Sequence, residues 1–171
     1  SVSKRSDGST RLLLGLRGPV LRGFAVVLEF CPVPHDKNEL ELAPVPFSGK
    51  ALYRKHLLDL RGLGVRDFGF FGEDLWILAG PTMALDGPVA LYRWRTPFAV
   101  DKPGDTLTRE GARLKLELML PFGTGKDHAE SFALFERTGA AASEVLVIHD
   151  SPSKARLPGD TAIALDVYAL P

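Results

Sequence analysis

One pattern recurs three times along the chain and limits its possible folds more than any other feature. It is an apolar strand, a loop with Gly or Ser before Pro, and a second apolar-aromatic strand. The first copy runs Leu12-Leu13-Leu14-Gly15-Leu16-Arg17-Gly18-Pro19 and leads through Gly23 to Phe24-Ala25-Val26-Val27. The second runs Leu75-Trp76-Ile77-Leu78-Ala79-Gly80-Pro81 and leads through Asp86-Gly87 to Val89-Ala90-Leu91-Tyr92. The third runs Val145-Leu146-Val147-Ile148-His149-Asp150-Ser151-Pro152 and leads through Gly159-Asp160 to Ile163-Ala164-Leu165-Asp166. A repeat of this kind favours architectures in which each unit buries its apolar face against the next.

A further matched pair precedes the second and third copies. Arg66-Asp67-Phe68-Gly69-Phe70-Phe71 follows Gly62-Leu63-Gly64, and Glu130-Ser131-Phe132-Ala133-Leu134-Phe135 follows Gly123-Thr124-Gly125. Each unit therefore reads as four strands, A to D. Unit one has B, C and D, unit two has all four, and unit three has A, B and C. The units span approximately 11–60, 65–120 and 129–171, after a flexible start over 1–10. The expected fold is all-β: antiparallel four-stranded repeats forming a partial β-propeller of about two and a half blades. Such a chain is one β domain of a larger propeller, because closed rings need about 4–8 blades. The expected partners are the missing blades, or a second copy covering the open edges. An open or two-layer β-sandwich is the alternative.

The punctuation agrees with strands. Seventeen Gly and thirteen Pro leave little room for long helices. Leu114-Lys115-Leu116-Glu117-Leu118 alternates as a strand with one wet face. Asp74–Ala79 and Glu144–Ile148 end in continuous apolar runs, as expected of inner strands covered on both faces. Cys31–Lys50 and Thr96–Gly111 read as long loops.

Composition removes several functions. Lys+Arg and Asp+Glu both total 21, so the net charge is zero, which argues against nucleic acid and anionic membranes as partners. No apolar run approaches a membrane span. The single Cys31 excludes an internal disulfide framework and reads as a buried thiol. It leaves the compartment open, with the cytoplasm the default expectation.

Several phrases resemble a bacterial family known only as domain of unknown function 3616. They are Gly15-Leu16-Arg17-Gly18-Pro19-Val20-Leu21-Arg22-Gly23, Tyr53-Arg54-Lys55-His56, Leu78-Ala79-Gly80-Pro81-Thr82 and Leu85-Asp86-Gly87-Pro88-Val89. The resemblance extends from about Leu12 to Tyr168. It implies a propeller-like repeat fold and no established activity, and the greater length of such proteins implies a C-terminal fragment. Ala129-Glu130-Ser131-Phe132 is similar, more weakly, to a phrase of esterase-like phytase and lactonase propellers, with Ser131 standing where those have Gly.

In a blade arrangement the B–C loops and D–A turns emerge on one face. The candidate ligand-binding residues gathered there are Arg17, Arg22, Arg66, Asp67, Asp86, His128, Glu130 and Asp150. Aligning the A strands puts Arg66 and Glu130 at equivalent positions. One reading is mutual pairing of Arg and carboxylates that ties blades together. The other is a site for a small anionic ligand or a metal at the channel mouth. Glu130 and Asp150, with His128 beside them, are the donor set for a divalent cation such as calcium.

Two functions follow. The first is a binding module acting through the loop face. The second is a metal-assisted hydrolase of the phosphatase or lactonase type, with Arg17, Arg22 and Arg66 holding an anionic substrate. No complete catalytic motif is present. Gly123-Thr124-Gly125-Lys126 lacks the spacing of a phosphate loop, and Ser151-Pro152 reads as a turn rather than a nucleophile elbow. Trp76 and Trp94 read as core. His35 and His56 have no matched acidic partner in sequence.

Overall fold

The computed structural model describes residues 1–4, 8–83, 86–99, 106–136 and 143–170. Arg5–Asp7, Leu85 and part of the Thr96–Gly111 loop, all named above, lie outside them. Within the described residues the chain is strand and turn, with one short 3-10 turn at Lys154–Arg156 and no α-helix.

The strands form three sheets. The first contains β1 (Val2–Lys4), β2 (Thr10–Gly15), β3 (Ala25–Asp36), β5 (Tyr53–Leu58) and β9 (Leu107–Glu110) in that order, with β4 (Glu39–Ala43) pairing to the far half of β3. The second contains β6 (Gly64–Phe71), β7 (Asp74–Gly80), β8 (Val89–Trp94) and β10 (Leu114–Leu120). Its strands lie in the order expected for A, B, C and D, each antiparallel to the next. The third contains β11 (His128–Glu136), β12 (Ser143–Asp150) and β13 (Asp166–Ala169), again in sequence order and antiparallel.

The middle sheet explains why β7 is apolar without alternation. Leu75, Ile77 and Ala79 pack against Leu13, Ala25, Val27 and Leu58 of the first sheet. Trp76 and Leu78, on the opposite face, pack against Ala129, Val145 and Val147 of the third. Alternate residues of one strand thus serve two cores. Burying each large side chain stabilises the stack by about 1.5–3 kcal/mol.

Both expected loops hold strands. Cys31–Lys50 contains the end of β3 and all of β4, a hairpin turning at Lys37 and Asn38. Pro32 and Pro34 are tolerated because this half of β3 pairs only with β4, while β2 and β5 pair with the other half. The connection after β8 contains β9, which returns to the first sheet and pairs parallel to β5, Lys55 opposite Leu107. At the other edge, Val2–Lys4 of the chain's start pairs with β2, where the repeat left unit one without an inner strand.

Aligned on its prolines, the repeat keeps register between units one and three but slips in unit two. Aligning the prolines makes Leu13 equivalent to Leu75. Yet the two lie in the same core facing each other across the first and second sheets. Equivalent residues of stacked repeats should point the same way. A one-residue shift reverses every side chain of a strand, and unit two carries that shift, since Trp76 and its equivalent Val147 likewise face each other in one core.

Candidate functional site

The A strands of the second and third sheets carry the same local distortion. Pairing of β6 with β7 skips from Val65 to Asp67, and pairing of β11 with β12 skips from Ala129 to Ser131. Arg66 and Glu130 are therefore the bulged residues of their strands. A bulge re-aims a side chain out of the regular alternation. Here it points the two residues at each other: Arg66 Nη1 lies 2.5 Å from Glu130 Oε1 and also donates to the Ala129 carbonyl at 3.2 Å.

Arg17, in the first unit's B–C loop, reaches the same oxygen at 3.1 Å. One carboxylate oxygen thus joins side chains from three repeats. Two local features hold Arg17 in place. Val65 N–H donates to the Leu16 carbonyl at 3.2 Å. Gly64 lies so close that a Cβ there would collide with the Arg17 carbonyl oxygen. Arg66 is buried, and Gly80 leaves room for its side chain. Burial pulls the Arg66 guanidinium below its ordinary pKa, and Glu130 pushes it back up.

Asp67 extends the junction. Its Oδ2 accepts from Ser131 Oγ at 2.5 Å and Phe132 N–H at 3.1 Å, and its Oδ1 from Phe68 N–H at 2.8 Å. A cleft of about 210 Å³ opens beside Arg66 and Asp67, with Leu13, Gly15, Val65 and Phe68 along its walls.

The remaining candidates divide among other places. Asp86 accepts from Gly125 N–H at 2.8 Å and pairs with His128 Nε2 at 3.0 Å. Those two bonds, the backbone one foremost, hold its carboxyl below the usual range. They tie the second B–C loop to the turn before β11. Asp150 accepts from its neighbour Ser151 N–H at 2.7 Å. Arg22 is exposed in the turn Leu21–Phe24 and lines a separate hollow with Phe24, Leu57 and Arg109. The proposed cation donors have different partners: Glu130 holds two guanidiniums and Asp150 caps a turn. Among the described residues no group of three or more His, Cys, Asp or Glu is placed to hold a metal.

A second loop network was visible only in part. Arg156 forms a bidentate pair with Asp166 at 2.9 and 2.7 Å and approaches Asp127 Oδ1 at 3.1 Å. His149 is buried against it, with Nε2 3.5 Å from Asp166. Burial first, and Arg156 second, hold the His149 pKa below its ordinary value. The sign of the pH effect follows. The unfolded chain takes up the proton near pH 6.5, while the folded chain resists it. Stability from this residue is complete above about pH 6.5 and is lost as pH falls toward the folded pKa, with a slope of at most about 1.4 kcal/mol per pH unit. Urea unfolding at pH 7.5 and 5.5 should show that loss, and His149→Leu should flatten it. An equal loss in the variant would remove His149 from the account.

The family model for "Protein of unknown function (DUF3616)" matches residues 6–166. The chain belongs to this family. The match includes all three repeats up to β13 and every residue of the three-way junction. No curated protein and no solved structure matches the chain. DUF3616 membership therefore brings no activity with it, and function has to be argued from the site.

A buried polar cluster escaped the sequence reading. Glu29 is fully buried on the inner face of the first sheet. It accepts from Arg11 Nη1 at 3.0 Å and from Arg54 Nη1 and His56 Nε2, each at 3.1 Å. Arg54 sits directly opposite Glu29 in the β3–β5 ladder. His56 Nδ1 lies 2.7 Å from Thr108 Oγ1, which fastens β9 to its neighbour. The available signal was parity: Arg11, Glu29, Arg54 and His56 occupy inward positions of apolar strands.

Proposed function

We propose that the chain is a β-propeller-type module that acts by binding, and that a small anionic ligand is held at its loop face where the three sheets meet. The observation that carries this reading is the convergence of Arg17 and Arg66 on one oxygen of Glu130, beside the cleft at Arg66 and Asp67. Arg17 is the accessible member, with its side chain 45% exposed. Its contact with Glu130 is its one side-chain hydrogen bond among the described residues. A guanidinium presents five donors in a planar fork, so Arg17 keeps outward N–H groups for a carboxylate or phosphoryl group. The face-to-face stacking of antiparallel sheets in sequence order supports the blade reading. Commitment of Glu130 to two guanidiniums supports binding over metal-assisted hydrolysis.

Calorimetric titration with inorganic phosphate tests the site. The unmodified chain should bind saturably. Arg17→Ala should bind at least about tenfold more weakly, a difference of about 1.4 kcal/mol. Arg22→Ala, which alters a separate hollow, should bind normally. Absence of binding to the unmodified chain, or equal affinity in Arg17→Ala, would overturn the reading.

A further inference from the structure

We infer that the hollow beside the first B–C loop is a binding site for an aromatic carboxylate, a small molecule with a flat apolar body and one anionic end. The hollow has a volume of about 390 Å³, within the roughly 300–1,000 Å³ usual for small-molecule sites. Val20, Leu21, Phe24 and Leu57 supply its apolar wall, and Arg22 and Arg109 its charged groups. It is distinct from the junction of Arg17, Arg66 and Glu130, none of which lines it.

Three segments far apart in sequence build the hollow. Leu57 lies on β5 and points away from the core shared with the second sheet, to which its neighbour Leu58 belongs. It is nevertheless only 8% exposed. β9 pairs Arg109 directly with Leu57, so the arginine adjoins the apolar floor. The segment Val20–Phe24 closes the other side. Leu21 and Phe24 exchange two backbone hydrogen bonds, of 2.8 and 3.0 Å, around Arg22 and Gly23. Both central residues have positive φ, 52° and 86°, as in a tight two-residue hairpin turn. Gly62 N–H donates to the Gly23 carbonyl at 3.1 Å and fastens the turn to the connection before β6. The wall is therefore in place before a ligand arrives, which lowers the cost of binding.

Charge decides the occupant. Among the described residues neither Arg22 nor Arg109 has an ion pair, and no carboxylate lines the hollow. Arg109 stands over the Phe24 ring instead, 5.6 Å from its centroid. Two uncompensated guanidiniums beside apolar side chains favour an anion. The planar fork of arginine matches a carboxylate and also stacks on aromatic rings. The apolar wall selects against a wholly polar anion, which would gain nothing from Phe24 or Leu57. An aromatic carboxylate meets both requirements: its charge faces the two guanidiniums and its ring the apolar wall.

The probe is naphthoate, followed by calorimetric titration of the full chain, with circular dichroism to confirm that each variant is folded. Binding should saturate at one naphthoate per chain. Arg109→Gln and Arg22→Gln should each weaken it by at least about tenfold. Naphthylmethanol, which keeps the rings and lacks the charge, should bind at least about tenfold more weakly than naphthoate. Val20→Trp, which fills the hollow from its rim, should abolish binding. Excess inorganic phosphate should leave the naphthoate affinity unchanged, which separates this site from the one at Arg17. Absence of saturable binding, equal affinity for the alcohol, or unchanged affinity in either glutamine variant or in Val20→Trp would each overturn the inference. So would displacement of naphthoate by phosphate, which would place the ligand at Arg17. The inference does not rest on phosphate binding: failure of the phosphate titration leaves every naphthoate result standing, and the reverse holds too.

Discussion

Replacing Glu29 by Gln should lower the stability of the chain by about 3–5 kcal/mol, measured by urea unfolding. The side chain keeps its size, so the loss comes from charge and hydrogen bonding. The carboxylate is the common acceptor for two guanidiniums and an imidazole, and it is fully buried. Neutralising it leaves Arg11 and Arg54 charged on the inner face of a sheet with their shared counter-ion gone. A buried pair contributes little relative to apolar residues, yet breaking one is costly. The triple change Arg11→Met, Glu29→Leu and Arg54→Met should therefore be close to neutral, or stabilising. A loss below about 1 kcal/mol in Glu29→Gln would show that water reaches the cluster.

Trp94→Ala should cost a similar amount, about 3–5 kcal/mol. Trp94 is fully buried between the first two sheets and stands edge-on to His56, ring centroids 5.0 Å apart. Truncation leaves a large void lined by strand backbones that cannot collapse into it. Trp94→Phe should cost much less. Phe fills part of the space and removes an indole Nε1–H that is buried with no hydrogen-bond partner among the described residues. If both variants lost the same stability, the indole nitrogen rather than ring volume would be the important feature.

These two residues show how much could be read from the sequence. The strands of the second sheet were legible because their apolar runs are broken by Gly and Pro at the turns, and the order of β6, β7 and β8 follows from antiparallel neighbours joined by short connections. The equivalence of Arg66 and Glu130 was legible as an alignment, and the structure pairs the two residues directly. What the alignment could not convey is the bulge, because one unpaired residue leaves no mark in a local pattern. Glu29 was hidden differently. A charged residue in a strand normally marks the wet face, and only the partners on β2 and β5, 18 and 25 residues away, make burial tolerable. The strands β4 and β9 were hidden by prolines and by their short length. The apolar pattern of unit two was visible, but its one-residue slip was not, since face is decided by the sheet opposite.

The path of β9 changes what a repeat means in this chain. By sequence, the first unit ends near residue 60. By hydrogen bonding, it ends near residue 110, because β9 lies beside β5 and Thr108 reaches His56. A stretch of the second repeat therefore completes the edge of the first. A fragment cut at the sequence boundary would leave β5 with bare amides along one side and the buried imidazole without its hydroxyl partner. The first two units are woven together and have to assemble as one body. The parallel pairing also joins residues about fifty positions apart, so this edge closes late in folding.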